Sequence, residues 1–354
     1  MISHFFKILK LWPRWLVLLI SLGLLFYPFF TATENGVYQS TTIFSKITYQ
    51  NNHLPVVVQT PPINHLPENV LIFGGDIMLS RNVEAQMEKY NDYSWPFAKI
   101  SPLFSGADLA VANLESPFLV TDNYRVPDGS FSFKANPKSV AGLSLAGFDL
   151  LSLANNHVLN QGVKGVTDTQ KILDQAGISY AGLSSNNLVV KEIRGIKFAF
   201  LSYTYAADSK LIANMLDISQ AQSDIKQAKD KADVVIVLMH AGTEYQRTPN
   251  KQQIEFAHAA IDAGADLVFG SHPHWIQTVE RYQGKMIFYS LGNLVFDQMW
   301  SLETKSGLAV KLYFKGKELD RIEYFPLVIK DYGQTDLMPE GKNKTDILKF
   351  LGVN

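Results

Sequence analysis

The sequence predicts an α/β domain in which helices cover the faces of β-sheets. Short apolar runs typical of strands recur along the chain, and they alternate with stretches whose apolar residues lie three or four positions apart, as on one face of a helix. Several of these helical stretches end just before a glycine, the residue preferred at a helix C-terminus. Strands that are apolar throughout are buried on both faces, so helices are expected to cover the sheets.

The predicted elements follow one another in a regular order. Apolar runs predict strands at residues 70–73, 109–112, 150–153, 198–203, 234–239, 267–269 and 287–291. Helical spacing predicts helices at residues 136–146, 164–176, 219–231 and 251–263. Segments 308–314 and 321–328 alternate around a Lys-Gly-Lys turn, which predicts a closing antiparallel hairpin. One large domain is therefore expected at residues 69–330, with a C-terminal tail at residues 331–354.

The first 30 residues are expected to form a cytoplasmic start and a transmembrane signal anchor. Lys7, Lys10 and Arg14 precede the uncharged, mostly apolar run 15–30, and this charge asymmetry keeps the start of such a segment in the cytoplasm. A cleavable signal peptide stays open as the alternative, because small residues follow at 31–33. Residues 31–68 carry prolines without a clear period, which predicts an extended linker. The domain is then expected outside the cell, on a single-pass protein of the cell membrane.

Composition excludes several kinds of site. The 354 residues carry a net charge of -1 and no cysteine. Without cysteine there are no disulfides, thiolate metal ligands or cysteine nucleophiles. The charge and the lack of a run of Lys and Arg give no basic surface for nucleic acid, which is not an expected partner. Any metal ion must be held by His, Asp, Glu or Asn.

Polar residues follow the C-terminal ends of five predicted strands, where open α/β sheets bind their ligands. These clusters contain Asp76, then Asn113 and Glu115, then Asn155, Asn156 and His157, then His240 and Glu244, and finally His272 and His274. Independent structural roles would not be expected to line up along one edge of a sheet. The clusters therefore predict a shared site.

Each residue taken alone has a structural alternative. An Asp after a strand is commonly a cap or turn former, and His240 could be a hydrogen-bonded core histidine. His272 and His274 differ, because in a tight loop around Pro273 both imidazoles can converge on metal ions. Four of the eight histidines lie in the clusters. The other four are predicted to be non-catalytic: His4, His53, His65 and His258.

The proposed ligands suit divalent transition metals better than calcium. Imidazole nitrogen together with carboxylate and amide oxygen binds ions such as Mn, Zn or Fe. One or two such ions can activate water and support hydrolysis. His157, next to Asn156, would then protonate a leaving group, since histidine titrates near neutral pH.

The order of these residues resembles the signature of calcineurin-like metallophosphoesterases. The motifs Gly-Gly-Asp-Ile-Met-Leu, Asn-Leu-Glu-Ser-Pro, Ala-Asn-Asn-His, His-Ala-Gly-Thr-Glu-Tyr, Gly-Ser-His-Pro-His and Tyr-Ser-Leu-Gly-Asn resemble those of the CapA capsule-synthesis family over residues 69–330. The resemblance implies a four-layer αββα sandwich of two facing sheets flanked by helices. It also implies that His157 is the catalytic acid and that the metal ligands are Asp76, Glu115, Asn156, His240, His272 and His274.

One residue departs from the phosphoesterase pattern. The usual first motif is Asp-x-His, and Met78 stands at the His position here. Methionine is a poor ligand for hard divalent ions. A centre with one metal ion, or with two unequal sites, therefore stays open, and phosphomonoester hydrolysis does not follow from the fold.

The resemblance implies an anionic polymer, poly-γ-glutamate, as substrate. Lys134, Arg81, Arg247 and Glu244 are the predicted substrate-binding residues, Arg125 and Lys251 are further candidates, and solvated surface charge is the alternative for each cation. The implied activity is that of a metal-dependent hydrolase or transferase in capsule synthesis. The alternatives are an ordinary phosphoesterase and a non-catalytic polymer-binding component of a synthesis or export complex. Expected partners are the membrane, through the N-terminal helix, and other capsule-synthesis membrane proteins.

Overall fold

The computed structural model describes residues 68–124, 126–205, 211–212 and 217–353, which fall within one compact unit. The predicted anchor, the linker before Glu68 and the candidate Arg125 lie outside the described residues. Among the helices that are described, none is long and apolar enough to cross a membrane.

The strands alternate with helices along most of the chain, as the apolar runs predict. The strands are β1 (Glu68–Ile77), β2 (Leu109–Leu114), β3 (Phe148–Ser152), β4 (Ser179–Ala181), β5 (Val189–Ile193), β6 (Ile196–Thr204), β7 (Val234–His240), β8 (Leu267–Ser271), β9 (Val279–Tyr282), β10 (Lys285–Phe288), β11 (Asn293–Val295), β12 (Ser306–Lys315), β13 (Glu318–Lys330) and β14 (Gln334–Leu337). The α-helices are α1 (Arg81–Tyr90), α2 (Ser101–Phe104), α3 (Val140–Ala146), α4 (Gly162–Ala176), α5 (Ile218–Lys229), α6 (Lys251–Asp262) and α7 (Lys342–Phe350), and a 3₁₀ turn (Pro137–Ser139) precedes α3.

The strands form two sheets. The first has the order β14-β13-β12-β1-β2-β3-β4, with β11 also paired to β1. Its strands β1 to β4 are parallel, whereas β12 to β14 are antiparallel. The second sheet has the order β5-β6-β7-β8-β10-β9, with antiparallel strands at its two edges. Because the parallel strands of each sheet end along one edge, their terminal residues are brought side by side.

The two sheets pack face to face. Phe73 of β1 stacks on Phe269 of β8, with ring centroids 3.8 Å apart. Leu143 and Leu173 of α3 and α4 pack on the outer face of the first sheet. Ile225 of α5 and Phe256 of α6 do the same on the second sheet. The described residues therefore form an α/β sandwich of two sheets with helices on both outer faces, which confirms the prediction of two facing sheets flanked by helices.

Every predicted strand and helix is present, with ends that differ by a few residues. The structure adds short strands at the sheet edges and the helices α1, α2 and α7. Residues 331–354 were expected as a tail, but the structure shows β14 paired to β13 and the helix α7. Ile347 of α7 joins the core between the sheets. A nine-residue helix with a single buried side chain has too weak a pattern to be recognised in the sequence.

Candidate metal centre

The candidate centre lies where the C-terminal ends of parallel strands from both sheets meet. Asp76 is near the end of β1, and Glu115 directly follows β2. From the second sheet, His240 ends β7 and His272 directly follows β8. All four residues are buried. The centre is therefore assembled across the two sheets, as the five clusters predict.

Asp76 accepts hydrogen bonds from two sides of the centre. Its Oδ1 accepts from Asn113 Nδ2 at 2.8 Å, and its Oδ2 accepts from the backbone N–H of His272 at 3.1 Å. His274 Nδ1 lies 3.5 Å from the same Oδ2. The register of β1 against β2 shifts between Phe73 and Asp76. Such an irregularity re-aims a side chain, and here it accompanies the placement of Asp76 at the junction of the sheets.

Glu115 is a fully buried carboxylate whose two oxygens have no hydrogen-bond partner among the described residues. Oε1 lies 3.8 Å from His240 Nε2, and Oε2 lies 4.0 Å from His157 Nε2. Burial, followed by the charges of Asp76 and Glu244, raises the pKa of Glu115 well above its ordinary value. An ionised carboxylate in this position costs free energy unless a positive group faces it.

His240 and Asn156 present adjacent ligand atoms. His240 Nε2 lies 2.8 Å from Asn156 Oδ1. On the other side of the ring, His240 Nδ1 lies 2.9 Å from Ser271 Oγ and 3.2 Å from Asn113 Nδ2. Ser271 and Asn113 therefore fix the ring so that Nε2 faces Asn156 and Glu115.

His272 and His274 occupy a loop with strained backbone. Their φ angles are 96° and 58°, in the left-handed region that residues other than glycine seldom adopt. His272 Nε2 lies 3.0 Å from Tyr205 Oη, while its buried Nδ1 has no partner in the described part of the chain. His274 Nδ1 lies 2.9 Å from Asn293 Oδ1. Strain of this kind collects at functional sites, where surrounding contacts hold it in place.

The buried imidazoles of His240 and His272 are held in their neutral form. Burial lowers the pKa of His240 well below its ordinary value, and the charge of His272 adds to this effect. Burial and the neighbouring His274 lower the pKa of His272 to about 3. Neutral imidazole is the form that binds a metal ion. The arrangement therefore favours nitrogen ligands at neutral pH.

His157 is oriented by contacts at Nδ1. This nitrogen lies 3.1 Å from the carbonyl oxygen of Phe131 and 3.0 Å from Asn160 Oδ1, both of which are acceptors. The proton of the neutral ring is therefore assigned to Nδ1, and Nε2 accepts from Asn156 Nδ2 at 3.0 Å. Burial is the main cause that lowers the pKa of His157 to about 4.

A divalent cation fits this set of side chains. Ligand atoms of Asp76, Glu115 and His240 lie within 4.8 Å of one another. His272 and His274 contact Asp76, and Asn156 contacts His240. The unpartnered oxygens of Glu115 and the unpartnered Nδ1 of His272 are the atoms that a cation would satisfy. A carboxylate, amide and imidazole set suits Mn, Fe or Zn.

Met78 does not contribute to this set. Its side chain is fully buried in the core between the first sheet and its helices, and its sulfur accepts from the backbone N–H of Ser80 at 3.1 Å. Where the phosphoesterase pattern has a histidine, this chain therefore has an apolar side chain buried in the helix-covered core.

The predicted substrate-binding residues lie in different surroundings. Glu244 is close enough for its charge to raise the pKa of Glu115 and of Tyr245. Lys134 is close to Glu84 of α1, whose pKa its charge lowers against a larger effect of burial. Arg247 pairs with Glu303 at 3.1 Å beside α7. The charge of Arg247 is thus already neutralised by a carboxylate.

The two remaining cations also have their own contacts. Arg81 is buried in an ion pair with Asp297 and donates to the carbonyl oxygen of Ser130 at 3.0 Å. Lys251 is exposed at the start of α6 and lies 3.4 Å from Glu255. The aromatic residues around Lys134 in the sequence favour it among these cations, and the contacts do not single out one cation as the binding group for an anionic polymer.

Sequence reasoning missed the residues that orient the ligands. Asn113 bridges Asp76 and His240, and Asn155 Nδ2 donates to Asn113 Oδ1 at 3.2 Å. Tyr205 contacts His272, and Asn293 contacts His274. The asparagines lie in motifs already noted in the sequence, which could have identified them. Tyr205 carries no such signal, because it simply follows β6.

Known proteins resemble this chain over the region that contains the centre. A family model described as "Bacterial capsule synthesis protein PGA_cap" matches residues 70–298. The chain is 33% identical over 290 residues to the capsule biosynthesis protein CapA of Bacillus anthracis, covering 76% of this chain and 70% of that protein. It is 32% identical over 308 residues to the PGA biosynthesis protein CapA of Bacillus subtilis (strain 168), covering 83% and 80%.

Solved structures superimpose on the chain at low sequence identity. A novel phosphatase from Mycoplasma pneumoniae gives a TM-score of 0.49 at 15% identity, over 74% of this chain and 94% of that one. A 5'-nucleotidase described as putative, from Staphylococcus aureus, gives a TM-score of 0.48 at 14% identity, over 80% and 58%.

Proposed function

This chain belongs to the bacterial capsule synthesis protein family PGA_cap, and we propose that it is a metal-dependent hydrolase or transferase that acts on poly-γ-glutamate or a related anionic envelope polymer. The names of its relatives support the polymer, because they place CapA proteins in capsule and PGA biosynthesis. The order of the site residues along the chain supports a sandwich of the calcineurin-like metallophosphoesterase type.

The observation that carries the proposal is the state of Glu115. Its carboxylate is fully buried, both oxygens lack hydrogen-bond partners within the described residues, and Asp76 and Glu244 add negative charge nearby. Burying such a group without a counter-charge costs several kcal/mol. A divalent cation offsets this cost and explains why neutral imidazoles point toward the carboxylate.

Six residues would hold the cation: Asp76, Glu115, Asn156, His240, His272 and His274. A cation held there supplies a water nucleophile near neutral pH and polarises a carbonyl or phosphoryl oxygen. We infer one ion, or two ions of unequal affinity, because Met78 lies in the apolar core where the usual pattern has a histidine ligand.

His157 is the proposed proton carrier. Phe131 and Asn160 hold the proton on Nδ1, so Nε2 faces Glu115. Because burial lowers the pKa of His157 to about 4, the ring is neutral near pH 7. Nε2 therefore has to gain a proton before it can give one to a leaving group. The position of His157 beside the ligands suits it for this transfer at the reacting bond.

The experiment compares two buried glutamates in the full-length protein. Cleavage of poly-γ-glutamate and of bis(p-nitrophenyl) phosphate is measured with Mn²⁺, with Zn²⁺ and after chelation. We expect cleavage of the polymer only with metal, and Glu115→Gln should lower bound metal and turnover at least about 100-fold. Glu84→Gln is the matched control, since Glu84 is also buried but lies on α1, outside the centre. Cleavage that survives chelation, or an active Glu115→Gln variant, would contradict the proposal.

Two alternatives are decided by the same assay. Turnover of the phosphodiester without the polymer would identify a phosphoesterase. If the protein binds the polymer without cleaving it, and if His157→Ala binds the polymer equally well, the protein is a non-catalytic polymer-binding component. The apolar surroundings of Met78 and the neutral state of His157 favour this non-catalytic binding role as the second candidate.

We also propose that the chain is a single-pass membrane protein with its domain outside the cell. Lys7, Lys10 and Arg14 before the apolar run 15–30 support this orientation. The full-length protein should sediment with membranes, and protease added to spheroplasts should digest a C-terminal tag. Protection of the tag would contradict the orientation. Other capsule-synthesis membrane proteins are the proposed partners, to be tested by co-purification from membranes.

A further inference from the structure

Arg81 is a buried cation whose contacts lie between the first sheet and the loop that carries Phe131. Its side chain is 7% exposed and pairs with Asp297, which is 2% exposed. Asp297 also accepts from the backbone N–H of Asn82 at 3.2 Å. The φ angle of Arg81 is 52°, a strained value for arginine. A buried charge pair on strained backbone costs free energy, and such an arrangement persists only where the surrounding contacts hold it in place.

The guanidinium of Arg81 fixes the segment from Ser130 to Phe133. Its Nη1 donates to the carbonyl oxygen of Ser130 at 3.0 Å. Its Cζ lies 4.9 Å from the ring centroid of Phe133 and 5.6 Å from that of Phe296. One planar cation thus holds the start of the segment by a hydrogen bond and its end by stacking, which a lysine could not reproduce.

The same segment orients His157. Phe131 provides the carbonyl oxygen 3.1 Å from His157 Nδ1. The ring of Phe133 lies 4.1 Å from the imidazole centroid. The backbone N–H of Phe133 donates to Asn160 Oδ1 at 2.7 Å, and this oxygen is the second acceptor at His157 Nδ1. The contacts at His157 Nδ1 and at the face of its ring therefore depend on where residues 131–133 lie, while Nε2 accepts from Asn156.

We infer that Arg81, held by Asp297, is a positioning residue that sets the ring orientation and tautomer of His157. Both Nη atoms of Arg81 are engaged within the protein, so its task is to hold the loop and not to bind the polymer. This role rests on the proposed function of His157 as proton carrier. The orientation and tautomer of the His157 ring depend only on these contacts and not on catalysis.

The test reads the imidazole directly. The full-length protein is labelled with ¹⁵N in histidine, and long-range ¹H–¹⁵N spectra show which ring nitrogen carries the proton. His157→Gln assigns the signals. We expect the Nδ1–H tautomer in the wild type and a mixture of tautomers in Arg81→Ala. If the wild-type protein cleaves the polymer, kcat should be about 10- to 100-fold lower in Arg81→Ala, while KM stays within twofold of the wild-type value.

Two further variants keep the test decisive. Arg81→Lys retains the charge and should recover part of the wild-type spectrum. Should Arg81→Ala fail to fold because Asp297 is left buried and unpaired, the double variant Arg81→Ala with Asp297→Ala removes both charges and is read in the same way. Arg321→Ala is the matched control. Arg321 of β13 also pairs with a carboxylate, that of Glu68 at the start of β1, and also stacks on an aromatic ring, that of Tyr313 in β12.

The outcomes separate this inference from the proposed function. Unchanged His157 signals in folded Arg81 variants would overturn the positioning role, even if turnover were lost. Altered signals in a protein that cleaves nothing would support the positioning role and refute the enzymatic proposal. Altered signals in Arg321→Ala would show that the spectrum reports general destabilisation, and the inference would fail.

Discussion

At the scale of single residues, the centre is marked by buried polar atoms that have no hydrogen-bond partner among the residues that the structure describes. Glu115 and His272 each contribute such atoms, and each directly follows a strand that ends at the centre. Buried polar groups are normally hydrogen-bonded, so an unpartnered group needs an explanation. The composition of the ligands offers one in the form of a divalent cation.

His272 gives a direct test of that explanation. His272→Ala should lower the affinity for Mn²⁺ or Zn²⁺ at least about 100-fold, because Nδ1 is a proposed ligand atom that has no hydrogen-bond partner among the described residues. In chelated protein the free energy of unfolding should change by about 1 kcal/mol or less. Metal content and urea unfolding provide the two readings.

His258→Ala is the matched control for His272→Ala. His258 lies on α6, pairs with Glu280 at 3.0 Å and stacks on Tyr282. This control should keep its metal. If His272→Ala unfolds while its metal content is unchanged, the histidine is structural.

Glu84 shows what burial does to a carboxyl outside the centre. Burial and the charge of Glu88 raise the pKa of Glu84 from 4.5 to about 8. Below pH 4.5 the group is protonated in both the folded and unfolded states. Between pH 4.5 and 8 the unfolded state releases the proton more readily, so the stability that this group contributes is lost as pH rises.

Glu84→Gln should therefore remove a pH dependence. Glutamine cannot ionise, so the variant should gain stability over the wild type from pH 5 to pH 8, reaching a few kcal/mol. Urea unfolding at several pH values measures the difference. Glu255→Gln, at an exposed pair with Lys251, should show no such trend. A constant difference for Glu84→Gln would show that the pKa of Glu84 is ordinary.

At the scale of the elements, close backbone approaches set where the strand ends lie. A Cβ atom on Gly75 would lie 1.8 Å from the carbonyl oxygen of Gly292, just before β11. The neighbouring Asp76 N–H donates to that same oxygen at 3.0 Å. Glycine in the Gly-Gly-Asp motif thus allows β1 and the segment before β11 to touch, and this contact holds Asp76 in the centre.

Gly75→Ala should force these backbones apart. We expect a loss of about 2 to 4 kcal/mol in the free energy of unfolding and weaker metal binding, because Asp76 moves with β1. Gly195→Ala is the control, since nothing lies within 4 Å of the added atom and only the positive φ angle of 80° makes the substitution costly. This control should lose about 1 kcal/mol and keep its metal. Equal losses in the two variants would refute the role of the close approach.

At the scale of the whole molecule, the core between the sheets aligns the two halves of the centre. The stacked rings of Phe73 and Phe269 belong to the strands that lead to Asp76 and His272. The core extends to the last helix, where Ile347 is 8% exposed. The C-terminal residues therefore stabilise the same core on which the alignment of the centre depends.

Ile347→Ala tests the contribution of α7. Removing this side chain from the core should lower the free energy of unfolding by about 2 kcal/mol, with metal content unchanged. Leu337→Ala, at a position 47% exposed in β14, should cost less than about 1 kcal/mol. Urea unfolding of both variants provides the comparison. A negligible effect of Ile347→Ala would mean that α7 is dispensable, as expected of a tail.

The sequence by itself determined the fold class and the family. Buried strands need continuous apolar residues, and the ligands directly follow those strands, so both could be recognised from local patterns. The clusters that contain the candidate ligands, from Asp76 to His274, were predicted from this placement, and the structure brings them together. The choice of ligands within the clusters came from the family resemblance. Their roles in metal binding and catalysis stay predictions.

Only the tertiary structure decided which side chains orient the ligands and which charges are already neutralised. Arg81 looks like a substrate-binding cation in the sequence, but its partner Asp297 is 216 residues away. Tyr205 and α7 gave no local signal for the same reason. Hydrogen bonds and packing between distant segments depend on how the two sheets face each other, and no local periodicity records that arrangement.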